Sequence, residues 1–152
     1  MVEILKIEKQ DIPEILDLAD DIFKGQLEDN KSYIMSATNW NISVKLVKDD
    51  EIIGFYLFNN VNIIKDLPKK YENLFNHKFG IEVVALGIKP EYRGNKYGQM
   101  LIDYPVKTFS NYFDYYWGWV LHTLNNLKYW NKRTNIIRYS KDESIIFYFF
   151  NK

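Results

Sequence analysis

The chain has no cysteine among its 152 residues, and that one absence removes disulfides, thiolate nucleophiles and cysteine metal sites together. Its two histidines, His77 and His122, stand far apart in sequence, so the ligand set of a zinc site is missing and no metal is expected. No apolar run approaches the roughly 20 residues of a membrane-spanning helix. The opening stretch, MVEILKIEKQ, alternates and carries acids, unlike a signal peptide, so a cytoplasmic location and no membrane partner are expected. Net charge is lacking too. Twenty acidic side chains balance twenty lysines and arginines, so no global field draws the chain to nucleic acid or to an anionic surface. Internal repeats and low-complexity segments are also absent.

What is there fits one domain over 1–152, long enough to bury roughly 70% of the surface of its unfolded chain. Val2 to Ile7 reads as a strand. Asp11 is placed to cap a helix whose first turn takes Pro13, with Ile12, Ile15, Leu16, Ala19, Ile22 and Phe23 at helical spacing. A weaker helical segment follows from Leu27 to Ser36. Ile42 to Lys48 and Ile52 to Phe58 form a hairpin about Asp49 and Asp50. A short helix is expected through Tyr71, Leu74 and Phe75. Ile81 to Ile88 is nearly continuous apolar sequence, as in a central strand buried on both faces. A helix starts near Tyr97 and is interrupted at Pro105, which lacks a backbone donor. Tyr115 to Leu121 is a strand in which Gly118 is a candidate bulge or splay. A short helix to about Arg133 and a closing hairpin, Ile136 to Tyr139 and Ser144 to Phe150, complete the chain.

The segment Ile81 to Leu101, IEVVALGIKPEYRGNKYGQML, carries the most information. An apolar strand enters a basic, glycine-bearing turn that opens a helix. Amides without partners in a helix's first turn, with the positive end of its dipole, favour an anion there. Arg93 adds a fixed cation, Gly94 and Gly98 allow close backbone approach, and Lys96 reaches the same anion.

These residues resemble motif A of the GCN5-related N-acetyltransferases (GNAT), whose RxxGxG/A turn grips the pyrophosphate of acetyl-CoA. Here the motif reads Arg93-Gly94-Asn95-Lys96-Tyr97-Gly98, with Lys96 where the family has its first glycine. The order of elements resembles the family along nearly the whole chain. The resemblance implies an α/β GNAT fold, a mixed central sheet of about seven strands with flanking helices. It implies acetyl-CoA as cofactor, held by Arg93, Gly94, Asn95, Lys96, Tyr97, Gly98 and Gln99. Backbone at Leu86, Gly87 and Ile88 would bond the pantetheine arm, and Asn126 and Trp130 would line the cofactor's far side. The run LNNLKYWNKR resembles phage-encoded members.

Laid on the histone-acetylating branch, Glu82 falls on the general base. An amine of pKa near 10.4 must lose a proton before it attacks a thioester, and a carboxylate in an apolar strand is partly desolvated, which raises its pKa. The competing reading is a solvated strand-end glutamate paired with Lys78. His122 is the second candidate base, against a structural role in its strand. The family's thiolate-protonating tyrosine falls nearer to Trp130 than to Tyr129, which leaves Tyr129 as the candidate acid; the alternative is that Leu127 and Trp130 are simply a helix's buried side.

The activity implied is transfer of acetyl to a primary amine, on a small molecule or a protein, by direct attack. Two alternatives stand beside it: a catalytically degenerate GNAT-fold protein that binds CoA or another protein, and an aminoacyl-tRNA-acetylating toxin, which the neutral charge disfavours. Ser144 to Phe150 is apolar on both faces, so a homodimer covering one face is a further expectation.

Overall fold

The computed structural model describes residues 1–24, 30–60, 67, 69–109, 112–121, 124–138 and 144–150. In chain order the strands are β1 (Val2–Lys6), β2 (Val44–Lys48), β3 (Glu51–Asn59), β4 (Gly80–Ile88), β5 (Tyr115–Leu121), β6 (Asn135–Arg138) and β7 (Ser144–Phe150). The helices are α1 (Ile12–Ile22), α2 (Asn30–Ala37), α3 (Glu72–Phe75), α4 (Tyr97–Phe109) and α5 (Leu124–Asn131). The chain divides into two units: Met1–Asn59 with Val84–Thr108, and Asn60–Val83 with Phe109–Lys152. β4 contributes its end to the first unit and its beginning to the second.

In the first unit the strands follow one another as β1-β2-β3-β4. β1 pairs antiparallel with β2, Val2 opposite Lys48, and β2 antiparallel with β3. Asp49 and Asp50 close that hairpin with φ of 49° and 66°, the left-handed pair that a two-residue turn demands and that aspartate tolerates. Between Leu46 and Val47 the register slips, so that Ile53 is one residue too many in β3. β3 is buried without a break from Ile52 to Phe58. Phe55 and Leu57 join Ile15 and Ala19 of α1, Ile34 of α2 and Ala85 of β4 in one apolar cluster. Tyr56 and Phe58, on the opposite face, pack with ring centroids 4.3 Å apart and the rings tilted by 40°. Burial on both faces, expected of β4, thus belongs to β3. In β4 full burial alternates with half-burial from Ile81 onward.

β3 and β4 approach so closely that a Cβ on Gly54 would stand 2.8 Å from the Gly87 carbonyl oxygen. A backbone atom cannot step aside as a flexible side chain can, which is why this position tolerates only glycine.

The expected cap at Asp11 takes a different form. Asp11 has helical backbone angles and makes no side-chain cap to α1. Its Oδ2 instead accepts from the Glu8 amide at 2.8 Å and from Lys45 Nζ at 2.6 Å. Two donors on one oxygen, one of them a cation, satisfy the carboxylate better than a neutral cap amide. The helix α4 is also longer than expected: it runs through Pro105 to Phe109. Proline removes only the bond to the Leu101 carbonyl, and both Leu101 and Pro105 are buried, so packing offsets the missing bond.

In the second unit the order is β4-β5-β7-β6. β4 and β5 are parallel, from Gly80 opposite Tyr115 to Val83 opposite Gly118. β7 lies between β5 and β6, antiparallel to both. Gly118 does not bulge, because the β5–β7 register is unbroken from Tyr115 to Leu121; it is instead the last residue of the ladder with β4. Phe75 of α3 packs on Tyr115 and Tyr148 at 4.8 and 5.1 Å between centroids, with Trp117 in the same cluster. This covers one face of β7 at Tyr148. The loop of the expected closing hairpin, residues 139–143, and the start of the second helical segment at Leu27 lie outside the described residues. Among the described residues no helix is long and apolar enough to cross a membrane.

The Asp11–Lys45 pair yields a pH signature. Burial pushes the Asp11 carboxyl up, but the Lys45 hydrogen bond, the Glu8 amide and the Lys45 charge outweigh it and hold it below its ordinary value. A depressed folded-state pKa stabilises above the unfolded value of about 3.9, and that stability is lost as pH falls through the folded value. Asp11→Asn is therefore expected to cost about 1.5–3 kcal/mol at neutral pH. The difference from the wild type should close below about pH 4, as read by urea unfolding across pH; a difference constant to pH 2 would refute the assignment.

Candidate anion-binding site

The turn after β4 and the residues bonded to it belong to the first unit. β4 ends at Ile88, and Pro90–Tyr92 form one turn of 3-10 helix with proline in its first turn. The Lys89 amide donates to the Ile53 carbonyl at 2.8 Å, tying the segment to the extra residue of β3. Arg93 Nε donates to the Ile88 carbonyl at 3.1 Å, and Asn95 Nδ2 donates to the Tyr92 carbonyl at 3.1 Å. The Arg93 guanidinium is thus anchored at the end of β4 while the residue remains exposed.

Two left-handed residues then bring the chain into α4: Gly94 at φ 86° and Lys96 at φ 63°. Lys96, at the motif's first glycine position, thus adopts a conformation that favours glycine. Around Gly94 a Cβ would meet no atom within 4 Å, so the space beside the turn is open. The first helical bond of α4 runs from the Met100 amide to the Lys96 carbonyl. The preceding amides, those of Tyr97 and Gly98 among them, have no acceptor within the helix. The first turn holds no acidic side chain to answer them. Exposed cations at Arg93 and Lys96 flank these amides in sequence, an arrangement suited to a phosphate or pyrophosphate.

No family model matches the sequence, and neither does any curated protein. Solved structures do match. An acetyltransferase of the GNAT family from Staphylococcus aureus Mu50 superposes with a TM-score of 0.72 at 12% identity, over 100% of both chains. NAA60 of Arabidopsis thaliana, solved with acetyl-CoA, gives 0.71 at 19% identity over 99% of each chain. The PaiA N-acetyltransferase of Thermoplasma acidophilum, solved with coenzyme A, gives 0.68 at 15% identity over 99% of each. The chain has the GNAT fold.

Within that GNAT fold, the other residues singled out from the sequence fall as follows. Leu86, Gly87 and Ile88 close β4, and the Ile88 carbonyl is taken by Arg93. Gln99 is bonded through its side chain to Asp103 at 2.8 Å. In the second unit, Glu82 is half-buried and sits opposite Trp117 of β5. Asn126 occupies the third position of α5. Trp130 is buried at 6% exposure, and its carbonyl receives the Arg133 and Thr134 amides and the Thr134 hydroxyl. Tyr129 is half-buried, its ring 5.2 Å from that of Trp130 and stacked under the Arg133 guanidinium at 3.9 Å. Burial pushes the Tyr129 phenol up, against a smaller opposing effect of Arg133. His122 lies outside the described residues. His77 is exposed, in the turn after α3, with φ 61°.

Sequence reading missed Glu51, whose carboxylate accepts from Lys89 Nζ at 2.8 Å and the Tyr92 hydroxyl at 3.0 Å. Those partners are 38 and 41 residues away, and no local pattern announces them.

The left-handed lysine gives a direct test. A residue with a Cβ costs roughly 1–2 kcal/mol in that conformation, part of which returns as the greater chain entropy of an unfolded glycine. Lys96→Gly is expected to stabilise the chain by about 0.5–1 kcal/mol in denaturant unfolding, whereas a loss of stability would show that the lysine side chain holds the turn.

Proposed function

We propose that the chain is an acetyl-CoA-dependent N-acetyltransferase that moves an acetyl group to a primary amine, on a small molecule or a protein, by direct attack. The observation that carries this reading is the left-handed Lys96: a lysine at the motif's first glycine position takes a backbone conformation that favours glycine. The acid-free first turn of α4, the open space beside Gly94 and the anchored Arg93 all suit a pyrophosphate.

Arg93, Lys96 and the amides opening α4 would hold the pyrophosphate, and backbone at Leu86 to Ile88 would orient the pantetheine arm. Acetyl-CoA, when bound, supplies an acyl group activated as a thioester. Glu82 takes a proton from the attacking amine, directly or through water. Tyr129 retains its phenolic proton at neutral pH, since burial raises its pKa, and so is able to give that proton to a departing thiolate. Asn126 and Trp130 belong in this reading to the cofactor's far side. Positioning contributes most of the rate, because aligned reactants gain up to about 7–11 kcal/mol over a bimolecular encounter.

Calorimetric titration of acetyl-CoA is the deciding experiment, with Arg93→Glu beside the wild type. Micromolar binding is expected, and the variant should lose at least about 1.5–3 kcal/mol, the worth of a hydrogen bond to a charged group, or roughly 10- to 150-fold in affinity. No binding by the wild type would sink the reading. Binding without acetyl turnover on any amine would move the protein to a CoA-binding role.

A further inference from the structure

The anion turn is held from a distant strand. Glu51, the first residue of β3, accepts through Oε2 from Lys89 Nζ at 2.8 Å and through Oε1 from the Tyr92 hydroxyl at 3.0 Å. Lys48, at the end of β2, places its ammonium 5.4 Å from the centre of the Tyr92 ring. The carbonyl of the same Tyr92 accepts from Asn95, which stands between the two left-handed residues. A chain of contacts therefore runs from Glu51 through Tyr92 to Asn95.

We propose that Glu51 is a positioning residue for the cofactor: by clamping Lys89 and Tyr92 it presets Arg93 and the first amides of α4 for a pyrophosphate. The assignment rests on the acetyl-CoA reading above. Glu51 is a carboxylate beside an anion site, and electrostatics alone makes it unfavourable there. Removing its charge should tighten anion binding if charge is all that matters. Removing its hydrogen bonds should weaken binding if it holds the turn, because a cradle left loose loses its preorganisation. The two accounts predict opposite signs. Glu91 and Glu14, the other acids near Lys89, stay in place in every variant and do not blur the comparison.

The test is calorimetric titration of coenzyme A into the wild type, Glu51→Ala, Glu51→Gln and Tyr92→Phe, with melting temperatures recorded alongside. Glu51→Ala is expected to weaken binding about tenfold. Tyr92→Phe, which removes one hydroxyl, should weaken it by less. Glu51→Gln keeps an acceptor for Tyr92 without the charge and should bind within about threefold of the wild type. Glu51→Ala binding as tightly as the wild type or more tightly would overturn the assignment, whatever the melting temperature. So would Glu51→Gln losing as much as Glu51→Ala. Should the wild type bind no coenzyme A, the acetyl-CoA reading itself falls and this assignment with it; wild-type binding unaffected by Glu51→Ala removes this assignment alone.

Discussion

The left-handed backbone at Gly94 and Lys96 is the constraint on which the site depends. β4 ends at Ile88 and α4 begins at Tyr97, and the eight residues between them hold the 3-10 turn Pro90–Tyr92 and both left-handed positions. Glycine takes this conformation without steric penalty, and lysine takes it at a cost of roughly 1–2 kcal/mol. A backbone strained to that degree persists only where its surroundings over-determine it. Here they do: Arg93 bonds Ile88, Asn95 bonds Tyr92, and Glu51 holds Lys89 and Tyr92.

Those anchors depend in turn on β3. Its seven consecutive buried residues fix the strand from both faces, Phe55 and Leu57 against α1 and α2, Tyr56 and Phe58 packed together on the other side. The extra residue, Ile53, offers its carbonyl to the Lys89 amide, and Glu51 lies two positions before it. A register slip at the start of β3 thus places both the acceptor for the Lys89 backbone and the carboxylate for its side chain. Gly54 lets β4 come close enough for this, since a Cβ there would strike the Gly87 carbonyl. The core positions the turn through specific backbone atoms as well as by filling space.

Much of this was legible in the sequence, because periodicity and turn chemistry are local. The alternation of Ile42 to Lys48, of which Val44 to Lys48 form β2, the Asp49-Asp50 turn, the helical spacing of Ile15 and Ala19 and the bounds of β5 all follow from neighbours a few residues apart. The errors share one cause. Pro105 reads as a break when its missing amide is weighed alone, but α4 continues because burial decides. β4 reads as the doubly buried strand because it is apolar, yet β3 is the one covered on both faces, and apolar sequence does not reveal which neighbours a strand will have. Asp11 reads as a cap until Lys45, 34 residues on, takes its carboxylate. The left-handed backbone at Lys96 was not legible, because residue identity does not report φ. The Glu51 clamp was invisible for the same reason as the Asp11 pair: it joins residues that only the fold brings together.

Zero net charge conceals a local arrangement that favours a small anion. Ion pairs among the described residues include Met1 with Asp49, Lys31 with Asp17, Lys45 with Asp11 and Lys89 with Glu51; Arg93 and Lys96 enter none of these four. Lys89 is the nearest cation on the strand side of the turn, and it is neutralised by Glu51, which also holds its pKa up. The positive charge of the segment is therefore concentrated at Arg93, Lys96 and the α4 amides. Two cations with helix amides bind a compact, doubly charged group through short charge-assisted hydrogen bonds. A neutral surface around them adds little long-range attraction, so recognition must come from geometry at the turn and should resist salt better than a broad basic face would. If the turn holds a pyrophosphate as proposed, small displacements of it would outweigh changes in net charge, and a carboxylate that sharpened the geometry would be worth keeping beside the anion it repels.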